Sequence, residues 1–126
     1  MSFWIFMFLT LTIIPLSMII IGKYFTKSPP KKINKMFGYR TKMSMKNNDT
    51  WRFAHELSGK LMYKLGLISL PITTLPFIFV LGENEETIGN FSMILIIIQT
   101  VAIFIPIILT EKALKDNFDK DGTKYK

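Results

Sequence analysis

The stretch Phe91–Thr110 reads FSMILIIIQTVAIFIPIILT, twenty consecutive residues without a charge. Twenty helical residues at 1.5 Å each cover about 30 Å, the thickness of a bilayer's hydrocarbon core. Two more such blocks lie upstream, Phe3–Gly22 and Leu65–Gly82, and neither contains a charged residue. Phe3–Gly22 alone holds twelve Ile, Leu or Phe residues. At their usual central-position values they favour insertion by roughly −4 to −7 kcal/mol, an upper bound because end positions count less. The whole chain has 126 residues, a formal charge of +7 and 49% hydrophobic residues. Its mean hydropathy is +0.31. A soluble basic domain of this length rarely combines such properties, and here they are separated along the chain, because all sixteen Lys and Arg lie outside the three blocks. The expected fold class is therefore all-α: an integral membrane protein with three transmembrane helices, at about 3–22, 62–82 and 91–110. A structured basic cytoplasmic loop (23–61) and a tail (111–126) complete a single module over 1–126.

The first block is expected to remain as a span. No basic residue precedes its apolar run, no small-x-small cleavage site follows Ile21, and the run is longer than a signal core. Charge sets the expected orientation. Residues 23–64 carry a net +9, the link 82–90 a net −3 through Glu83, Glu85 and Glu86, and the tail a net +1. The positive-inside rule then puts the basic loop and C-terminus in the cytoplasm of a multi-pass cell-membrane protein, with the N-terminus and acidic link outside.

Zero cysteines and one histidine, His55, exclude disulfides, thiol catalysis and His-pair metal sites within the chain. No cofactor and no metal are expected. Asn117–Gly122 resembles half a calcium loop, but its closing Glu is missing. The tail reads as a short helical extension of the third span and then a disordered end. Each span contains proline: Pro15, Pro71 with Pro76, and Pro106. Thr73 and Thr74 are placed to satisfy the carbonyls those prolines free in the second span, and Gln99 is expected to face a helix partner.

The basic loop holds the remaining information. The run KSPPKK (27–32) breaks helix and can lay its lysines near anionic lipid headgroups. Asn48 and Asp49 are good N-caps for a helix from about Thr50 into the second span. On that helix Trp51, His55 and Gly59 share one face, extended by Met62 and Gly66, while Arg52, Glu56 and Lys60 form a solvated charge row. The first face permits two readings. In one, Trp51 is an interfacial anchor, His55 a polar group at headgroup level, and Gly59 a close-approach point. In the other, the face binds a ligand together with Gly38–Thr41.

Gly38, Tyr39, Arg40 and Thr41, then Ser44, Lys46, Asn47, Trp51, His55 and Gly59, resemble in type and order the signature of the SdpI family. The resemblance covers about Asn34–Leu65. It implies a small bacterial membrane protein of the kind that protects a toxin-producing cell from its own secreted peptide. It also implies a signalling role in which a transcriptional repressor is drawn to the membrane. The family's namesake is longer, with an additional amino-terminal membrane region, so this chain looks like the shared module.

Physically, the ten residues suit an anion or headgroup site. Arg40 offers a planar fork, Gly38 close backbone approach, Lys46 a point charge, and His55 a group titrating near neutral pH. The same residues equally suit an internal role, with Arg40 and Asn47 capping helices and stapling the loop. Anionic lipids, a toxin peptide and a repressor are the expected partners, with oligomers open and no direct nucleic-acid binding. Two other classes stand beside the immunity reading. A lipid-modifying enzyme would use His55 as base, but no nucleophile–base–acid set or elbow motif accompanies it, so no enzymatic activity is expected. A small transporter component would need polar groups in the spans, which carry no charge.

Overall fold

A computed structural model describes residues 2–34 and 36–125. Met1, Lys126 and Lys35, which the charge count places in the tail and the basic loop, lie outside the described residues. Three helices form: α1 (Ser2–Lys27), α2 (Asn48–Phe77) and α3 (Glu85–Asn117). A 3-10 turn, Ile78–Val80, follows α2. All three are long and apolar enough to cross a membrane. Beyond helix, the described residues contain only an isolated bridge between Phe118 and Lys124.

The bundle is apolar outside, and small residues line the contact between α1 and α2 within it. Ile5, Leu9, Ile13, Leu16 and Ile20 form one exposed row along α1. Only 22%, 28% and 22% of the apolar windows of α1, α2 and α3 are buried. So large an exposed apolar surface needs lipid around it. Inside, α1 crosses α2 through glycines. A Cβ on Gly22 would sit 2.6 Å from the Gly59 carbonyl oxygen, and one on Gly66 would sit 2.9 Å from that of Pro15. Without hydrophobic drive between helices in lipid, close backbone approach of this kind supplies the packing.

Prolines interrupt none of the three helices. Pro15 has no N–H to give the Leu11 carbonyl one turn back. The Gln99 Nε2 of α3 donates to that carbonyl at 2.7 Å, so Gln99 has the helix partner its polarity required. Thr73 and Thr74 do not serve Pro71 and Pro76 as expected. They donate to Ser69 and Leu70 (2.8 and 2.6 Å), whereas the prolines free Leu67 and Ile72. A threonine hydroxyl reaches its own i−4 carbonyl first.

Two cores close the ends. Leu11, Phe77, Val80, Ile88 and Leu95 pack at the acidic end, where Trp4 stacks on Phe77 and donates to its carbonyl at 3.0 Å. Phe25, Tyr39, Ala54, Leu114 and Phe118 pack at the basic end. The acidic link is shorter than expected. Asn84 caps α3 by accepting from the Thr87 N–H at 2.8 Å, so Glu85 and Glu86 occupy the first helical turn, where the dipole favours them. The tail is also ordered where disorder was expected. Asp119 Oδ1 accepts from the Asp121 and Thr123 N–H groups, both at 2.9 Å, and this Asx turn folds the chain back.

Candidate functional site

The loop between α1 and α2 is fastened to α2 at three points. Asn47, one residue before the expected caps, is the N-cap: its Oδ1 accepts from the Thr50 N–H at 2.9 Å, and Thr50 Oγ1 accepts from the Asn47 N–H at 3.1 Å. This is a capping box with threonine in the reciprocal place. Asn47 Nδ2 meanwhile donates to the Gly122 carbonyl at 2.7 Å, pinning the tail. A Cβ on Gly122 would sit 2.6 Å from that nitrogen.

The second fastening is His55, which is fully buried. Its Nε2 accepts from the Tyr39 N–H at 2.9 Å. Its Nδ1 lies 2.7 Å from the Trp51 carbonyl, to which it must donate, so the ring is the neutral Nδ1–H tautomer. Burial lowers its pKa, opposed in part by the Trp51 hydrogen bond. Gly38 sits over this ring with φ +113°, and a Cβ there would come 2.6 Å from Nε2. No other residue combines that φ with that contact at low cost.

Trp51 is not an interfacial anchor. It is 2% exposed, its centroid is 4.3 Å from His55, and its Nε1 donates to the Pro30 carbonyl at 2.6 Å. The proline run after α1 is thereby held against α2. Two α2 turns beyond Trp51, Gly59 admits Phe25, whose Cβ would lie 2.8 Å from a Cβ at that position.

The turn itself reaches α3. Thr41 N–H donates to Ser44 Oγ at 2.8 Å, and Ser44 N–H donates to Thr41 Oγ1 at 3.1 Å. Ser44 is fully buried and its Oγ lies 3.0 Å from the Tyr39 carbonyl. Tyr39 Oη and Thr41 Oγ1 both donate to Glu111 Oε2, at 2.7 and 2.9 Å. Burial, then the Glu111 hydrogen bond and charge, push the Tyr39 phenol well above its usual range. Sequence reasoning missed Glu111 and Thr50. A lone acid directly after an uncharged span was the available signal for Glu111.

Of the ten motif residues, eight are buried or half-buried and only Arg40 and Lys46 are exposed. Arg40 rims a cleft of about 430 Å³ with Ile20, Ile21 and Tyr24 of α1. Lys46 packs its stem by Gly122. Among the described residues, no three acidic or histidine side chains group as metal ligands.

Residues 31–110, which contain the ten motif residues but not their contacts Phe25, Pro30, Glu111 and Gly122, match the SdpI/YfhL protein family. The chain belongs to that family. A Bacillus subtilis (strain 168) relative, described as the uncharacterized protein YfhL, is 36% identical over 98 residues, which are 78% of this chain and 79% of that protein. No solved structure matches. Within this SdpI/YfhL chain, the matched segment runs from the basic loop to the end of the third apolar block, so α1 before Lys31 lies outside it.

Proposed function

We propose that this SdpI/YfhL-family protein is a non-enzymatic immunity module of the cell membrane that protects its cell from a membrane-active peptide. The observation that supports this reading is the acidic end. Glu83, Glu85 and Glu86 are all exposed, directly beside the exposed apolar side chains Phe79 (83%) and Leu81 (47%). A cationic amphipathic peptide lying at the outer leaflet presents the complementary pair of surfaces, basic groups to the carboxylates and an apolar face to the helices. The positive-inside rule puts this end outside, where such a peptide arrives. The non-enzymatic part rests on His55, whose two ring nitrogens are both engaged and which has no exposed face to offer a substrate.

Sensitive cells producing the protein should survive a cationic membrane-active peptide better than cells with an empty vector. The variant Glu83→Gln/Glu85→Gln/Glu86→Gln, present in the membrane at the same level, should lose that advantage. No protection against a panel of such peptides, or protection indifferent to the three carboxylates, overturns the reading.

A further inference from the structure

A second surface lies at the opposite, basic end of the bundle, on the flank where α1 meets α2. Lys23 and Lys27 stand one turn apart on α1, and Lys60 and Lys64 stand one turn apart on α2. Together with Thr26 and Tyr63 they line a cleft of about 470 Å³. The glycine crossing makes this convergence unavoidable. Gly22 and Gly59 bring the two backbones within contact, and each is followed at once by one of the lysines. No carboxylate lines the cleft. Glu56, on the same α2 row as Lys60, lines a different cleft with Asp49 and Arg52.

Four ammonium groups around one cleft repel each other, both along each helix and across the gap. All four are exposed, so the arrangement is stable with counter-anions at hand. Depth in the membrane names their source. Lys23 follows the last residue of the first apolar block, and Lys64 precedes the first residue of the second. Both therefore lie near the edge of the hydrocarbon. Across the Gly22–Gly59 contact Lys60 stands level with Lys23, one helical turn (about 5–6 Å) out from Lys64, and Lys27 stands one turn beyond Lys23, so the four are staggered from the hydrocarbon edge through the headgroup layer. The cleft spans the depth of lipid phosphates, and its inner end opens toward acyl chains.

We propose that this four-lysine cleft binds the headgroup of an anionic phospholipid, and that four cations select a lipid with two phosphates over one with a single phosphate. Basic pockets between membrane helices have the chemistry for such headgroups. The site is separate from the Gly38–Gly59 motif and from the acidic end.

The test uses the full chain in nanodiscs of phosphatidylcholine, with bound lipid read by native mass spectrometry after adding a few per cent of either cardiolipin or phosphatidylglycerol. Cardiolipin should bind at least tenfold more tightly than phosphatidylglycerol. The variant Lys23→Gln/Lys27→Gln/Lys60→Gln/Lys64→Gln should lose at least tenfold in cardiolipin affinity. The charge-matched variant Lys32→Gln/Lys42→Gln/Lys120→Gln/Lys124→Gln should lose less than threefold. Replacing the four cleft lysines by arginine should retain binding, which separates lost charge from lost fold. Equal losses in the two glutamine variants would assign binding to the diffuse basic field and overturn the proposal. Displacement of the lipid by millimolar inorganic pyrophosphate would make the ligand a free anion and overturn its lipid part.

Discussion

Tyr39 and Glu111 are 72 positions apart and 2.7 Å from each other, so the contact is a direct measure of whether the loop is latched to α3. Tyr39→Phe removes one of two donors to Glu111 Oε2, and the half-buried carboxylate keeps the other from Thr41. Hydrogen bonds to charged groups contribute about 1.5–3 kcal/mol. Water reaches Glu111 in part, so the lower end applies and Tyr39→Phe should cost about 1.5 kcal/mol. Glu111→Gln weakens both bonds together and should cost about 2–3 kcal/mol. Because the phenol bond is lost in Tyr39→Phe and already weakened in Glu111→Gln, the double variant should fall short of additivity by about 1 kcal/mol. Unfolding in mixed micelles of rising SDS fraction, followed by the fluorescence of Trp51 in a Trp4→Phe background, gives the four free energies of the cycle. The pH dependence supplies an independent reading. The phenol is pushed up in the folded state, so its stabilisation is complete below the unfolded value of about 10 and is lost as pH rises above it. The loss is up to about 1.4 kcal/mol per unit. The informative quantity is the difference between wild type and Tyr39→Phe, in which contributions common to both cancel, and it should narrow steadily above pH 10. Additive single variants, or a difference that does not change with alkaline pH, would refute the latch.

Three further outcomes are expected. Gly38→Ala forces a Cβ to 2.6 Å from His55 Nε2 at φ +113°, and should destabilise by about 2–4 kcal/mol from strain and a lost buried hydrogen bond. In a His55→Ala background the same change should cost at least about 1 kcal/mol less, and SDS midpoints that show no relief would contradict the contact. His55 is held neutral by burial, so stability should fall as pH drops below about 6.5, by up to about 1.4 kcal/mol per unit, and His55→Gln should flatten that limb in acid-titrated melts. Gln99→Leu should cost about 1 kcal/mol in the wild type and close to nothing in Pro15→Ala, where residue 15 regains an N–H for the Leu11 carbonyl; equal costs in the two backgrounds would remove Gln99 from that role.

The three helices were legible because hydrophobicity and charge are segregated in the sequence, and no tertiary information is needed to see an uncharged block of membrane length. Helix ends were less so. Asn47, Asn48 and Asp49 are all capping types, and only the reciprocal bond from Thr50 singles out the first. Glu83, Glu85 and Glu86 read as a link because charge marks the end of a span, yet Asn84 with acids behind it is itself a helix start. The tail's Asp119 and Gly122 were noticed only as part of a failed calcium loop, although Asp two to four residues ahead of Gly is a turn signal without any ion. The inward orientation of the motif was legible only as one of two equal readings. Whether His55 faces lipid headgroups or the Tyr39 N–H depends on a turn 16 residues away, and periodicity along α2 alone cannot see that turn.

The placement of these contacts follows from the solvent. In water, three apolar helices would be driven together by their side chains. In lipid that drive is absent, and packing, small residues and hydrogen bonds must hold the bundle. The chain has one such device at each level. Trp4 and Phe77 join α1 to α2 at the acidic end, Gln99 ties α3 to α1 at mid-depth, and the glycines Gly22, Gly59 and Gly66 close α1 on α2. Toward the basic end the α2–α3 side has no glycine crossing. There Tyr39 and Thr41 reach from the loop to Glu111 while His55 holds the same loop to α2. The motif residues thus add, at the aqueous boundary, a hydrogen-bonded link between α2 and α3 to the apolar packing that Phe77 with Ile88 and Ala54 with Leu114 already provide. This explains why a loop outside the membrane carries so many paired side chains while Arg40 and Lys42 of its turn stay exposed, and it leaves these two as the turn residues whose replacement should spare stability.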